Sequence, residues 1–89
     1  MNRYFTNRAD DEYRQWRKVN SKMFTKINDL IDDIEENGMM EGKGKPEKLK
    51  HYGEPTFSRR ITQVDRLVYR SYNIKDLLII SCKGLYDDK

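Results

Sequence analysis

An α+β fold is predicted by the order in which patterns change along this chain, with two N-terminal helices packed on a twisted antiparallel sheet in a single domain, 1–89. Three observations carry that prediction. Apolar residues recur at helical spacing from Ala9 to Ile34. A glycine- and lysine-rich stretch, GKGKPEKLK at 42–50, then breaks the pattern. Beyond it, β-branched and aromatic runs alternate with short turns. Helices followed by a run of strands is the segregated α+β order.

The first helix rests on Ala9, Tyr13 and Trp16, three or four residues apart, and the second on Met23, Ile27, Leu30, Ile31 and Ile34. Asn20 and Ser21 interrupt the stripe and offer side-chain oxygens to the exposed amides of the second helix, while Asn37 and Gly38 supply its stop. The acidic cluster Asp32, Asp33, Glu35 and Glu36 is expected on the solvated side of that helix. After a turn at Gly53–Pro55, FSRRIT (57–62), RLVYRSYN (66–73) and DLLIISCK (76–83) read as an antiparallel meander. The last run is apolar at nearly every position, as a strand covered on both faces would be, and is expected to be central. NRYF near the start is a candidate edge strand.

Composition narrows the function classes. Charged residues make up 37% and hydrophobic residues 36% of the 89 positions, with a net charge of +3. Residues 1–40 hold seven Lys/Arg against eight Asp/Glu, and residues 41–89 hold eleven against seven, so the second half is the one expected to face an anion. No apolar run reaches the roughly 18 residues that span a bilayer, and MNRYFTNRADDEYR lacks a signal-peptide core, so a cytoplasmic location and no membrane partner are expected. One cysteine and one histidine offer no zinc spacing; no metal and no cofactor are expected.

Strand alternation separates the arginines. If Ile61, Leu67 and Tyr69 face the helices, Arg60, Arg66 and Arg70 share the opposite face, while the adjacent Arg59 points away from it. Lys43, Lys45, Lys48 and Lys50 can close over the rim of that face, making a basic concavity suited to phosphates. His51 and Arg59 complete the RNA-binding candidates. Tyr69, Tyr72 and Tyr86 supply rings on which unpaired bases could stack. The blander reading is a solvated, arginine-rich sheet face. No helix carries the basic face that major-groove DNA reading uses. Glu47, a lone carboxylate among lysines, suits by spacing alone a charge offset or the first turn of a helix after Pro46.

The blocks GKGKPEKLK, SRRI and RLVY, set between INDLIDDIEENGMMEGKGKPEKLKHY and LLIISCKGLY, resemble the YoeB/Txe family of bacterial toxins within the RelE superfamily, from Trp16 to Tyr86. The resemblance implies a microbial-ribonuclease-like (RelE-like) fold. It also implies an mRNA interferase: a ribosome-dependent endoribonuclease that cuts messenger RNA in the A site of the 70S ribosome, inhibits translation, and is held in check by a cognate antitoxin. A homodimer is a further implication. Glu47 falls on the family's catalytic glutamate, the base for 2′-hydroxyl attack; Arg60 and Arg66 fall on arginines at the scissile phosphate, Lys50 on a lysine of the cleft, and Tyr86 on a near-terminal tyrosine that orients substrate.

One position departs from that pattern. Family members end in a His-Tyr pair whose histidine is the proposed general acid, and Leu85 stands in its place here. Leucine has no proton to give, and loss of a positioned acid typically costs 10²- to 10⁴-fold in rate, about 3 to 5 kcal/mol of barrier. Three accounts fit: a substitution introduced or selected against toxicity, a natural degenerate member, or another donor such as His51. The alternative function is a non-catalytic module that binds the ribosome or the antitoxin.

Overall fold

The computed structural model describes residues 1–85. Its elements run β1 (Arg3–Phe5), α1 (Asn7–Val19), α2 (Ser21–Asn37), β2 (Glu47–Lys48), β3 (Phe57–Arg60), β4 (Arg66–Ser71) and β5 (Leu77–Ser81). Both helix boundaries have chemical causes. Thr6 caps α1 by accepting from the Ala9 amide, and Asn20 accepts from the Met23 amide to open α2. The same Asn20 donates its backbone N–H to Trp16 O, closing α1, so one residue ends one helix and starts the next. Gly38, at φ 98°, ends α2 in a conformation that costs a residue without Cβ little.

The five strands form one sheet ordered β1-β5-β4-β3-β2. The β3–β4–β5 meander is antiparallel, as expected, but β1 joins β5 in parallel, so the sheet is mixed. That pairing moves the centre to β4, with β5 second from the edge; Leu77, Ile79 and Ser81 are buried while Leu78 and Ile80 are half-buried. The basic stretch is not wholly loop either, because Glu47 and Lys48 form a two-residue strand on β3, which excludes the turn of helix after Pro46.

The core lies between helices and sheet, with Ile27, Leu30, Ile31 and Ile34 of α2 against Ile61, Leu67, Tyr69 and Ile79. α1 grips the end of β5 through polar groups as well: Trp16 Nε1 donates to Cys82 O at 2.7 Å and the Cys82 amide donates to Glu12 Oε1 at 2.7 Å. Burial pushes the Cys82 thiol up to about 12, so it stays protonated and inert. Arg3 ties β1 to α2 through Asp32 and Glu35. Among the described residues no helix is long and apolar enough to cross a membrane.

Candidate nucleic-acid interface

By register, the sheet face away from the helices carries Glu47, Arg60, Arg66 and Arg70. Arg60 and Arg66 are direct cross-strand partners, and Glu47 is the partner of Ser58, two positions before Arg60 on the same strand. Directly opposed side chains stand about 5 Å apart at Cβ and diagonal ones about 7–8 Å, so on this one surface Arg60 lies about 5 Å from Arg66 on one side and about 7–8 Å from Glu47 on the other. Arg70 shares that face.

What these groups already hold distinguishes them. Among the described residues, Glu47 and Arg60 are exposed and take part in no ion pair. Arg66 uses one terminal nitrogen, donating to Thr62 O, Gln63 O and Asp65 O at 2.9, 3.2 and 3.1 Å, which steadies the guanidinium against its own turn. Arg70 is paired with Glu54 at 2.8 Å.

The position of Leu85 follows from Asp65. Its carboxylate accepts from the Gly84 amide at 2.7 Å and from Thr62 Oγ1 at 2.7 Å, and Gly84 O accepts from the Arg66 amide at 2.9 Å. The segment after β5 is thereby stitched to the start of β4, and Leu85 emerges beside Arg66 with 56% of its surface exposed. Tyr86 lies outside the described residues.

Three expectations about groups that prove to be buried are corrected. Arg59, expected among the RNA-binding residues, does not reach the surface: it is 0% exposed, and its five N–H donors meet five acceptors. Nε donates to Tyr69 Oη at 3.0 Å, Nη1 to Asp33 Oδ2 at 2.5 Å and Lys43 O at 2.9 Å, and Nη2 to Gly38 O at 2.7 Å and Glu41 O at 2.6 Å. Asp33 is not solvated; it is buried on the flank of the α2 stripe, and the Lys43 amide, followed by the Arg59 guanidinium, holds its carboxyl below the usual range. Tyr69 offers no stacking platform, since it is buried in the core with its hydroxyl donating to Met39 O at 2.6 Å, and burial raises its pKa. The signal that would have found this cluster is helical phase: Asp33 follows Leu30 by three residues and precedes Ile34 by one.

Of the other basic candidates, Lys45, Lys50 and His51 are exposed in the segment flanking β2, with Lys45 and His51 at positive φ. Lys43 instead borders a depression of about 280 Å³ with Asp29, Asp32, Asp33 and Glu36, among carboxylates rather than beside Arg60. A larger concavity, about 650 Å³, runs along α1 past Tyr13, Arg14 and Arg17 and contains none of the predicted site residues. Tyr72 is 52% exposed and packs on Tyr4 with ring centroids 4.6 Å apart. Among the described residues no group of three His, Cys, Asp or Glu side chains could hold a metal.

Residues 5–86 match the family model of the YoeB-like toxin of bacterial type II toxin-antitoxin systems. Toxin YoeB of Escherichia coli strain K12 is 43% identical over 76 residues, covering 85% of this chain and 88% of that protein. Toxin YoeB of Synechocystis is 39% identical over 82 residues, covering 92% and 93%. Among solved structures, the YoeB dimer from Staphylococcus aureus superposes with TM-score 0.90 at 41% identity, covering 97% of this chain and 98% of that one. The YoeB-YefM complex from the same organism gives 0.88 at 42%, covering 97% and 98%.

Proposed function

The chain belongs to the YoeB-like toxin family of bacterial type II toxin-antitoxin systems, and from that premise we propose that it is an endoribonuclease scaffold acting on messenger RNA in the ribosomal A site, with Leu85 lowering its rate. Glu47 takes the proton of a 2′-hydroxyl as that oxygen bonds to the adjacent phosphorus. The bond from phosphorus to the 5′-oxygen breaks, leaving a 2′,3′-cyclic phosphate and a 5′-hydroxyl end. Arg60 and Arg66 stabilise the charge gathering on the phosphorane oxygens, work that preorganised guanidinium donors do well. Lys45, Lys50 and His51 guide the RNA backbone, and Tyr86 orients the substrate. The 5′-oxygen needs a proton, and since Leu85 cannot supply it, water must do so in this chain.

The observation that most supports this reading is the register that sets Glu47, Arg60 and Arg66 on one face, with Glu47 and Arg60 outside the ion pairs of the fold. The test is to mix translating ribosomes and messenger RNA with the chain, with Leu85→His and with Leu85→His/Glu47→Gln, and to map the cut ends. Histidine is expected to raise cleavage about 10²- to 10⁴-fold, and the added Glu47→Gln to abolish the gain. No cleavage by any of them, with ribosome binding intact, overturns the enzyme reading in favour of a binding module, which Leu85 itself favours. The cationic face also suits an acidic or amphipathic antitoxin segment, and the complex and the dimer formed by the Staphylococcus aureus relatives support both an antitoxin partner and a homodimer.

A further inference from the structure

Between Asn37 and Glu47 the chain has no helix or strand, yet Glu47 must arrive on β3 in a fixed register. Two adjacent strand residues are a weak anchor for it. The backbone of this segment is instead turned inward: the carbonyls of Gly38, Glu41 and Lys43 converge on the Arg59 guanidinium, Met39 O accepts from Tyr69, and the Lys43 amide donates to Asp33. The backbone shape this demands is unusual, with Gly42 at φ 105° and Gly44 at φ 82°, and there is no room for a larger residue: a Cβ on Gly42 would stand 2.0 Å from Asp33 Oδ2. An ion pair this deep is poor value as a source of stability, because desolvating both charges offsets most of their attraction. It is well suited to holding one backbone arrangement, since five donors in a rigid fork accept no other set of partners.

We propose that Arg59 and Asp33 are positioning residues that draw in residues 38–44 and so hold Glu47 on the open face; the catalytic consequence, though not the clamp itself, rests on the nuclease reading above. Arg59 is one residue from Arg60 and points the other way. Neighbouring strand positions therefore divide the labour, Arg60 toward the substrate side and Arg59 toward the segment that delivers the base.

Two variants load the clamp differently. Arg59→Lys keeps the charge but has three donors where five are used, and Gly42→Ala keeps the ion pair but pushes on Asp33 from the loop side. Amide hydrogen exchange is read residue by residue in both, and RNA cleavage and RNA affinity are measured in the Leu85→His background beside Glu47→Gln. The expected result is exchange faster by about tenfold or more over residues 39–46, with the amides of β4 and β5 within about twofold, in either variant. Cleavage is expected to fall toward the level of Glu47→Gln through kcat, with RNA affinity within about twofold. Unchanged exchange over 39–46, or a uniform rise across β4 and β5 in both variants, overturns the proposal. So does full cleavage by both variants where Glu47→Gln has abolished it. If Glu47→Gln leaves cleavage untouched, the nuclease reading is what fails, and exchange alone decides the clamp.

Discussion

Strand alternation divides the arginines at 59, 60, 66 and 70 only into one facing inward and three facing outward, and the structure gives each a different occupation. Arg59 is consumed inside, Arg70 is paired with Glu54, Arg66 is braced against its turn, and Arg60 is held by nothing among the described residues. A side chain with no structural duty can be removed at little cost to folding, whereas an exposed ion pair contributes about 0–1 kcal/mol. Arg60→Ala is therefore expected to leave the melting temperature within a few degrees while lowering cleavage by the Leu85→His protein at least about 100-fold. Arg70→Ala is expected to change cleavage by less than about fivefold. Thermal melts and single-turnover cleavage of ribosome-bound messenger RNA check both. An Arg70 effect as large as that of Arg60 would move the reacting phosphate toward β4 and away from Glu47.

At the scale of elements, the helical hairpin was legible because its signals are local. Asn20 shows this most clearly, with its side chain on the Met23 amide and its own amide on Trp16 O. Asn20→Ala is expected to cost about 1 kcal/mol, lowering the melting temperature by roughly 4–8 °C for a domain of this size. Asn20→Asp, which keeps the accepting oxygen, is expected to lose much less; calorimetry of the two distinguishes lost capping from lost helix propensity. The meander was legible for the same reason, its strands trimmed only at their ends. Two features were not. The parallel pairing of β1 depends on a partner 74 residues away, for which Arg3, Tyr4 and Phe5 carry no local mark. The burial of Asp33 and Arg59 depends on each finding the other, and single-residue statistics place both outside. The shared face of Arg60, Arg66 and Arg70 could be read from alternation alone, but neither the short strand that brings Glu47 beside it nor the support behind it could.

Over the whole molecule, acid is the sensitive condition. Asp33 is held low first by the Lys43 amide and then by Arg59, Glu35 by Arg3, and Asp76 chiefly by the Asn2 amide. A carboxyl whose folded pKa is depressed contributes stability that is complete above its unfolded value, near 4, and lost as pH falls toward the folded one. Denaturation midpoints followed by circular dichroism are therefore expected to be level from about pH 7 to 5 and to drop below about pH 4. Asp33→Asn should begin lower at pH 7 and show a shallower decline, and a wild-type curve flat to about pH 3 would remove these carboxyls from the stability of the fold. The pairing of β1 with β5 has a consequence in time. The first strand to be synthesised has no sheet to join until the last has been made, and β5 must enter between β1 and β4 rather than add at an edge. Such long-range closure delays completion of the sheet until β5 is available. The sheet that sets Glu47, Arg60 and Arg66 on one face would thus be complete only after β5 has been made, long after the segment carrying Glu47 has appeared.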